Sequence, residues 1–230
     1  MQKSFLALAI TTLSTTAIAE PFSYKYLEIN YTETTQDIDA PGYTYADLEA
    51  DFLDRSTGKS GQVTQELEIE GYGGTLSWDF DNVLLRVTHQ RAEISKIFGL
   101  DPSEYGYDND AKATGVFVGG HGEPDEKTSF FGGIGYTREA FDSVIGSFDT
   151  DIVSFGGGVR YWVLPMVEVN ASLALVHARS SDLDATETDG QYSIGARFQP
   201  LKMVSIGASY SSLLDNNEVD SISVDARYQF

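Results

Sequence analysis

The sequence predicts an all-β fold, namely an antiparallel up-and-down transmembrane β-barrel of about ten strands. Three observations predict it. Apolar residues recur at every second position along most of the chain, short and long connections alternate, and aromatic residues mark both ends of the apolar faces. A period of two is typical of strands, whereas helices repeat every 3.6 residues. Strands of about ten residues can cross a bilayer when they are tilted.

The composition excludes several classes of protein. A chain of 230 residues suits a single domain. The absence of cysteine excludes a disulfide framework and thiolate metal sites. A formal net charge of -20 argues against a basic nucleic-acid-binding surface, so we expect no nucleic-acid partner. No phosphate-binding glycine motif follows a strand and precedes a helix, and we expect no cofactor.

The first residues resemble an export signal. Lys3 provides a positive start, an apolar stretch covers residues 5–10, and Ala17-Ile18-Ala19 has the small-residue pattern of a cleavage site. We therefore expect residues 1–19 to be a signal peptide and residues 20–230 to form the barrel domain.

Ten segments alternate strictly enough to be predicted as strands. In the last one, Ile222, Val224, Ala226, Tyr228 and Phe230 lie on one face, and polar residues lie on the other. The segments are 27–31, 76–80, 83–87, 114–118, 130–136, 153–161, 167–177, 192–198, 204–210 and 222–230.

The predicted connections fall into two kinds. Short turns are expected at 79–82, 122–126, 164–166 and 200–202, and long loops at 35–64, 93–110, 139–150, 180–190 and 213–218. Short turns at one rim and long loops at the other are typical of barrels in bacterial outer membranes, where the turns are periplasmic and the loops extracellular.

The residue types on the two faces favour a membrane barrel over a soluble one. The polar face is mostly Ser, Gly, Thr and Asn, which suits a narrow lumen in which a few charges oppose one another. The predicted lumen charges are Arg86, Arg160, Glu168, Arg197, Asp225 and Arg227, and we expect Arg160 and Glu168 to pair across a short turn. The apolar face has aromatic residues near both strand ends, as two interfacial girdles require.

The whole mature chain resembles Gram-negative outer-membrane β-barrel proteins. It is similar in size and pattern to the OmpA-like, opacity-type and small-porin groups. The final Tyr228-Gln229-Phe230 resembles the signal that the outer-membrane assembly machinery recognises. The resemblance implies an outer-membrane location, contact with membrane lipid and lipopolysaccharide, and transient binding to that machinery.

The predicted loops are rich in acidic residues. One interpretation is a solvated, repelling surface, and the other is weak binding of divalent cations, which prefer several oxygen ligands. The loops do not have the spacing of a calcium-binding loop, so no dedicated metal site is expected. The candidate residues are Asp182, Asp184, Glu187, Asp189, Asp215 and Glu218.

Three functions remain open at this stage. The first is a narrow, cation-leaning pore or a structural surface protein, since a barrel of about ten strands lies near the size that side chains fill. The second is a surface binding or adhesion module that acts through the long acidic loops. The third is an outer-membrane hydrolase with acids around His89 or His177, but these histidines fit interfacial positions, and we expect no enzyme.

Overall fold

A computed structural model describes residues 22–37, 44–47, 60–62, 66–105, 110–143, 146–180, 185–214 and 219–230. The predicted signal peptide lies outside these residues. No helix in the described part of the chain is both long and apolar enough to cross a membrane.

Ten antiparallel strands form one closed barrel in which each strand pairs with its neighbours in sequence. A short 3-10 helix, Pro102–Tyr105, follows the third strand. The strands are β1 Tyr26–Asp37, β2 Glu66–Phe80, β3 Val83–Ile97, β4 Asp110–Asp125, β5 Thr128–Ser143, β6 Gly146–Leu164, β7 Val167–Ser180, β8 Ala185–Leu201, β9 Val204–Leu213 and β10 Val219–Gln229. All ten predicted strands are therefore confirmed.

The barrel closes where the first strand meets the last. β1 pairs with β10 from Tyr26 opposite Gln229 to Gln36 opposite Val219. Following paired residues once around the wall from Glu168 on β7 leads back to β7 at Ser180, twelve residues higher. This stagger tilts the strands, as closure requires.

The apolar face of the wall points outward. In β1, Leu27, Ile29 and Tyr31 are exposed, whereas Glu28 and Asn30 are buried. The same alternation leaves Leu173 on β7 61% exposed. Large apolar side chains cover the outside of the barrel, and polar ones lie inside. This distribution suits a barrel surrounded by lipid, as in outer-membrane proteins.

Two predicted long loops, 139–150 and 180–190, are wrong, because strand pairing continues through most of each. β5 and β6 remain paired up to Ser143 opposite Gly146. Outward polar groups join them there, with Arg138 2.5 Å from Asp149. Polar side chains are compatible with strand pairing above the lipid, so the loss of apolar alternation marks the membrane boundary rather than the end of the strand.

Glycine pairs on β4 and β5 make room for an inward aromatic ring. A Cβ atom on Gly119 would lie 2.8 Å from the ring of Phe117, and one on Gly133 would lie 2.7 Å from it. Both distances are shorter than real Cβ contacts, and each Cβ would lie even closer to a backbone carbonyl oxygen of the adjacent strand, so a larger residue would clash with both the ring and the wall. Phe117 in turn lies beneath Arg86, whose guanidinium carbon is 5.4 Å from the ring centroid.

Candidate functional site: the closed lumen

The candidate site is the lumen near the short-turn rim, where the inward-facing charges gather. Glu28 on β1 accepts a hydrogen bond from Nε of Arg227 at 2.9 Å and a shorter one from the same guanidinium. Nη2 of Arg197 lies 3.3 Å from the same carboxylate and 2.5 Å from Asp225. The three strands that supply these residues, β8, β10 and β1, thus share one ion network.

A second buried ion pair lies in the neighbouring part of the lumen. Arg160 on β6 and Glu168 on β7 form the ion pair expected across their hairpin, at 3.3 Å, and both side chains are fully buried. Aromatic faces support the guanidinium groups. Arg160 lies 4.8 Å from the ring of Phe22 and 4.9 Å from that of Tyr24, and Arg227 lies 3.8 Å from Tyr26. Such cation–π contacts are favourable, especially where water is excluded.

The segment that precedes β1 folds into the same end of the lumen. Tyr24 bonds Ser129 through its hydroxyl at 2.7 Å and stacks on His121, with ring centroids 4.0 Å apart. His121 also hydrogen-bonds Asp79 at 3.0 Å. His121 directly precedes the short turn expected at 122–126, but β4 continues to Asp125, and only 7% of this side chain is exposed.

Higher in the lumen, hydroxyl groups connect the strands. Thr34 bonds Ser221 at 2.6 Å and Thr32 bonds Ser223 at 3.1 Å, which joins β1 to β10. Two apolar clusters follow toward the long-loop rim. One contains Ile152, Val176, Ala178, Leu213 and Val219, and the other contains Ile69, Ile94, Ala111 and Phe141.

Glu139 on β5 lies at this upper level of the lumen. It is 1% exposed, and neither of its carboxylate oxygens has a hydrogen-bond partner among the residues that the structure describes. Its paired residues on the adjacent strands are Ala113 and Thr150, which carry no charge. A buried carboxylate without a partner destabilises a fold, so this residue is an exception among the lumen acids.

Side chains fill the barrel at the level of the ion network. Glu28, Glu168, Arg160 and Arg227 are each 0–1% exposed. A side chain that lined a water channel would be exposed to that water, so these four residues do not line one. A filled interior agrees with the small number of strands.

The outer surface has two aromatic borders. Trp78, Phe80, Tyr161 and Phe198 are exposed near the short turns. At the other border, three tyrosines bond carboxylates on adjacent strands: Tyr31 to Glu70 at 2.9 Å, Tyr136 to Asp151 at 2.6 Å, and Tyr210 to Asp220 at 2.5 Å. Aromatic rings with polar tips suit the two membrane interfaces.

Above the second border, five acidic residues occupy successive positions in one cross-strand row, which we call the acidic row. It consists of Glu33, Glu70, Glu93, Asp110 and Asp142 on β1 to β5. Like charges directly opposite one another destabilise a sheet. Lys112 offsets part of this repulsion, since its Nζ lies 3.9 Å from Asp110.

The predicted acidic loop cluster is not a loop where the structure describes it. Glu187 and Asp189 lie on β8 on its inward face, and Asp189 is buried. The predicted loop position of both residues is therefore wrong, because β8 begins at Ala185, and Asp189 does not face solvent. Asp182, Asp184, Asp215 and Glu218 lie outside the described residues.

The two remaining histidines face outward, as their position in the alternation predicts. Nδ1 of His89 lies 2.9 Å from the hydroxyl of Thr114, and Nδ1 of His177 lies 2.7 Å from that of Thr188. Each imidazole thus contacts a threonine on the adjacent strand.

Tyr228 and Phe230, the predicted assembly signal, lie at the seam of the barrel. Both are about half exposed on the outward face. The N–H of Phe230 donates to the carbonyl of Lys25 at 3.2 Å, and its ring packs 5.5 Å from that of Trp78.

The structure brings together residues that sequence reasoning missed. Arg160, Glu168, Arg197, Asp225 and Arg227 were all expected in the lumen. Glu28 was not, although its place between Leu27 and Ile29 gives it the inward position. Phe22, Tyr24 and Glu139 were also missed, because their surroundings depend on distant parts of the chain.

Comparisons with known proteins place the chain by its fold. No family model matches it, and no curated protein does. The β domain of the Bordetella autotransporter BrkA is similar over 89% of this chain and 98% of its own, with 11% identity and a TM-score of 0.56. Neisserial surface protein A covers 90% and 98% at 10% identity, with a TM-score of 0.42. Ail of Yersinia pestis covers 89% and 97% at 18% identity, with a TM-score of 0.34. The fold is that of an outer-membrane β-barrel protein.

Proposed function

We propose that this outer-membrane barrel is a structural or surface protein whose lumen is closed at rest. The observation that carries the proposal is the buried ion network around Glu28. Arg227 and Arg197 both contact its carboxylate inside a filled section of the barrel. Four arginines there face Glu28, Glu168 and Asp225, with Asp79 at the rim, so opposite charges nearly balance. Any preference for cations would therefore arise at the acidic row and not in the lumen.

Conductance in planar bilayers tests this proposal. We expect purified wild-type protein to insert without producing discrete conductance steps in potassium chloride over a wide range of concentration. Flotation of the same preparation with lipid vesicles provides the control for insertion. Regular steps from inserted wild-type protein would contradict a closed lumen and support the narrow pore instead.

The second candidate is surface binding, and the acidic row favours it. Five adjacent carboxylates on the outer wall give this side of the barrel a strongly negative surface. Such a surface attracts a basic partner and repels an acidic one. Deleting residues 37–59 of the first loop, and separately replacing Glu33, Glu70 and Glu93 by Gln, should reduce adhesion of expressing cells to host cells. Unchanged adhesion in both variants would refute this candidate.

We propose that Tyr228 and Phe230 act during assembly rather than at a site of activity. Their outward exposure beside the β1–β10 seam leaves both rings accessible until lipid covers them. Replacing Phe230 by Ser should lower the amount of folded protein in the outer membrane. Replacing Ile222 by Ser, at the other end of the same face, provides the matched control.

We propose no enzymatic activity. The contacts of His89 and His177 support this, because each imidazole bonds a threonine on the outward face of the wall and not one of the acids that the hydrolase alternative requires. Hydrolysis of lipid or peptide substrates by wild-type protein, lost on replacing both histidines by Ala, would refute the proposal.

A further inference from the structure

Phe22 and Tyr24, which we call the N-terminal plug, occupy the short-turn mouth of the lumen. They are 3% and 1% exposed, respectively. Phe22 packs against Trp162 with ring centroids 6.1 Å apart, and Tyr24 packs against His121 and bonds Ser129. Arg160 lies over both plug rings. The two side chains therefore contact β4, β5 and β6 from inside.

The plug is not part of the wall that it closes. Strand pairing starts at Tyr26 opposite Ser77 and Gln229. The backbone contacts the wall at Lys25, whose carbonyl accepts from the N–H of Phe230. Withdrawal of Phe22 and Tyr24 would thus leave the register of all ten strands unchanged.

Backbone strain at Phe22 destabilises the conformation in which the plug is buried. Phe22 has φ of 61°, in the left-handed region that an L-residue with a side chain rarely adopts. The burial of its ring therefore has to offset this conformation.

We infer that the N-terminal plug is a removable gate, whose withdrawal opens the periplasmic end of the lumen to water and small solutes. This inference goes beyond the proposed function, which requires only that the lumen is closed at rest. The released state exposes the guanidinium of Arg160, since both rings that cover it leave with the plug. The wall persists because its hydrogen bonds do not involve the plug.

A cysteine behind the plug provides the test, because the chain has no native cysteine. Ser129 is fully buried, and its hydroxyl bonds that of Tyr24, so it lies directly behind the plug. We expect the thiol of S129C to be unreactive toward a charged, membrane-impermeant thiol reagent when the plug is wild type. Adding F22A and Y24A should make it reactive, whereas adding S23A, the matched control between them, should not.

Two outcomes overturn the gate. One is a thiol that stays unreactive in F22A/Y24A protein whose thermal unfolding matches that of the S23A control, since other side chains would then close the mouth. The other is a thiol that reacts as fast with the plug intact as in F22A/Y24A protein, since the plug would then not cover the mouth. Both are distinguishable from failure of the proposed function, which is judged by the conductance of wild-type protein.

A measurement with the plug unaltered covers the case in which the double variant fails to fold. In W78F protein, Trp162 is the sole tryptophan and packs against Phe22. With increasing denaturant, acrylamide should begin to quench Trp162 before circular dichroism reports loss of the strands, because local release precedes global unfolding. Coincident transitions would show that the plug does not open separately.

Discussion

Replacing Glu28 by Gln is the sharpest perturbation of the lumen. The substitution keeps the size of the side chain but removes the charge that faces Arg227 at 2.9 Å and Arg197 at 3.3 Å. All three side chains are at most 2% exposed. Breaking a buried ion pair by removing one partner typically costs ~3–5 kcal/mol.

The expected loss for Glu28→Gln lies near the lower end of that range. Arg197 retains Asp225 at 2.5 Å, so Arg227 bears most of the effect. We expect a decrease of about 3 kcal/mol in the free energy of unfolding, which is roughly a hundredfold change in the ratio of folded to unfolded protein. Urea unfolding in phospholipid vesicles, followed by circular dichroism, measures it.

An exposed pair provides the control for this experiment. Lys96 lies 2.6 Å from Glu68, but the side chain of Lys96 is half exposed. Lys96→Ala should therefore lower the stability much less than Glu28→Gln does, because water and salt screen an exposed pair. A second variant, Glu28→Leu with Arg227→Met, should recover much of the loss, because apolar replacement of a whole buried pair is often neutral. A loss for Glu28→Gln no larger than that for Lys96→Ala would refute the buried network.

Three further predictions concern other charges. Glu139→Leu should raise the free energy of unfolding by about 1–3 kcal/mol, measured by the same unfolding assay, because it removes a buried carboxylate without hydrogen-bond partners. Glu93→Gln should stabilise the barrel by about 0.2–1 kcal/mol, because it interrupts the acidic row, and the gain should shrink at high salt. Asp101 accepts hydrogen bonds from the N–H and hydroxyl of Ser103 at 2.9 and 2.6 Å, which hold the pKa of its carboxyl below the usual value. This contribution to stability is present above the usual pKa and is lost as pH falls through the lowered one, so Ser103→Ala should raise the pKa of Asp101 in an NMR titration. An unchanged stability or pKa would count against the corresponding contact.

The strands of the wall could be predicted from the sequence because a strand in a membrane barrel contacts lipid on one face and protein on the other. That physical difference appears directly as alternation, so all ten strands and the inward position of Arg86, Arg160 and Arg197 could be predicted. Above the membrane boundary both faces can be polar, and the signal disappears. The upper part of β5 and the start of β8, including Asp189, were therefore mistaken for loops.

The closure of the lumen could not be predicted in the same way. Alternation gives the direction of a side chain but not its partner across the barrel. Glu28 meets Arg227 because β1 and β10 close the wall, and Tyr24 meets Ser129 across a long stretch of sequence. These contacts depend on strand number and stagger, which set the width of the interior.

A pair of single cysteines on β8 tests the central claim, a lipid-facing wall around a closed lumen. Ile194 points outward and Ser193 points inward, and the chain has no other cysteine. In vesicles, a fluorophore at I194C should be quenched by nitroxide-labelled lipid, and S193C should resist both lipid-soluble and water-soluble thiol reagents. Rapid reaction of S193C with the water-soluble reagent, or no lipid quenching at I194C, would contradict the account.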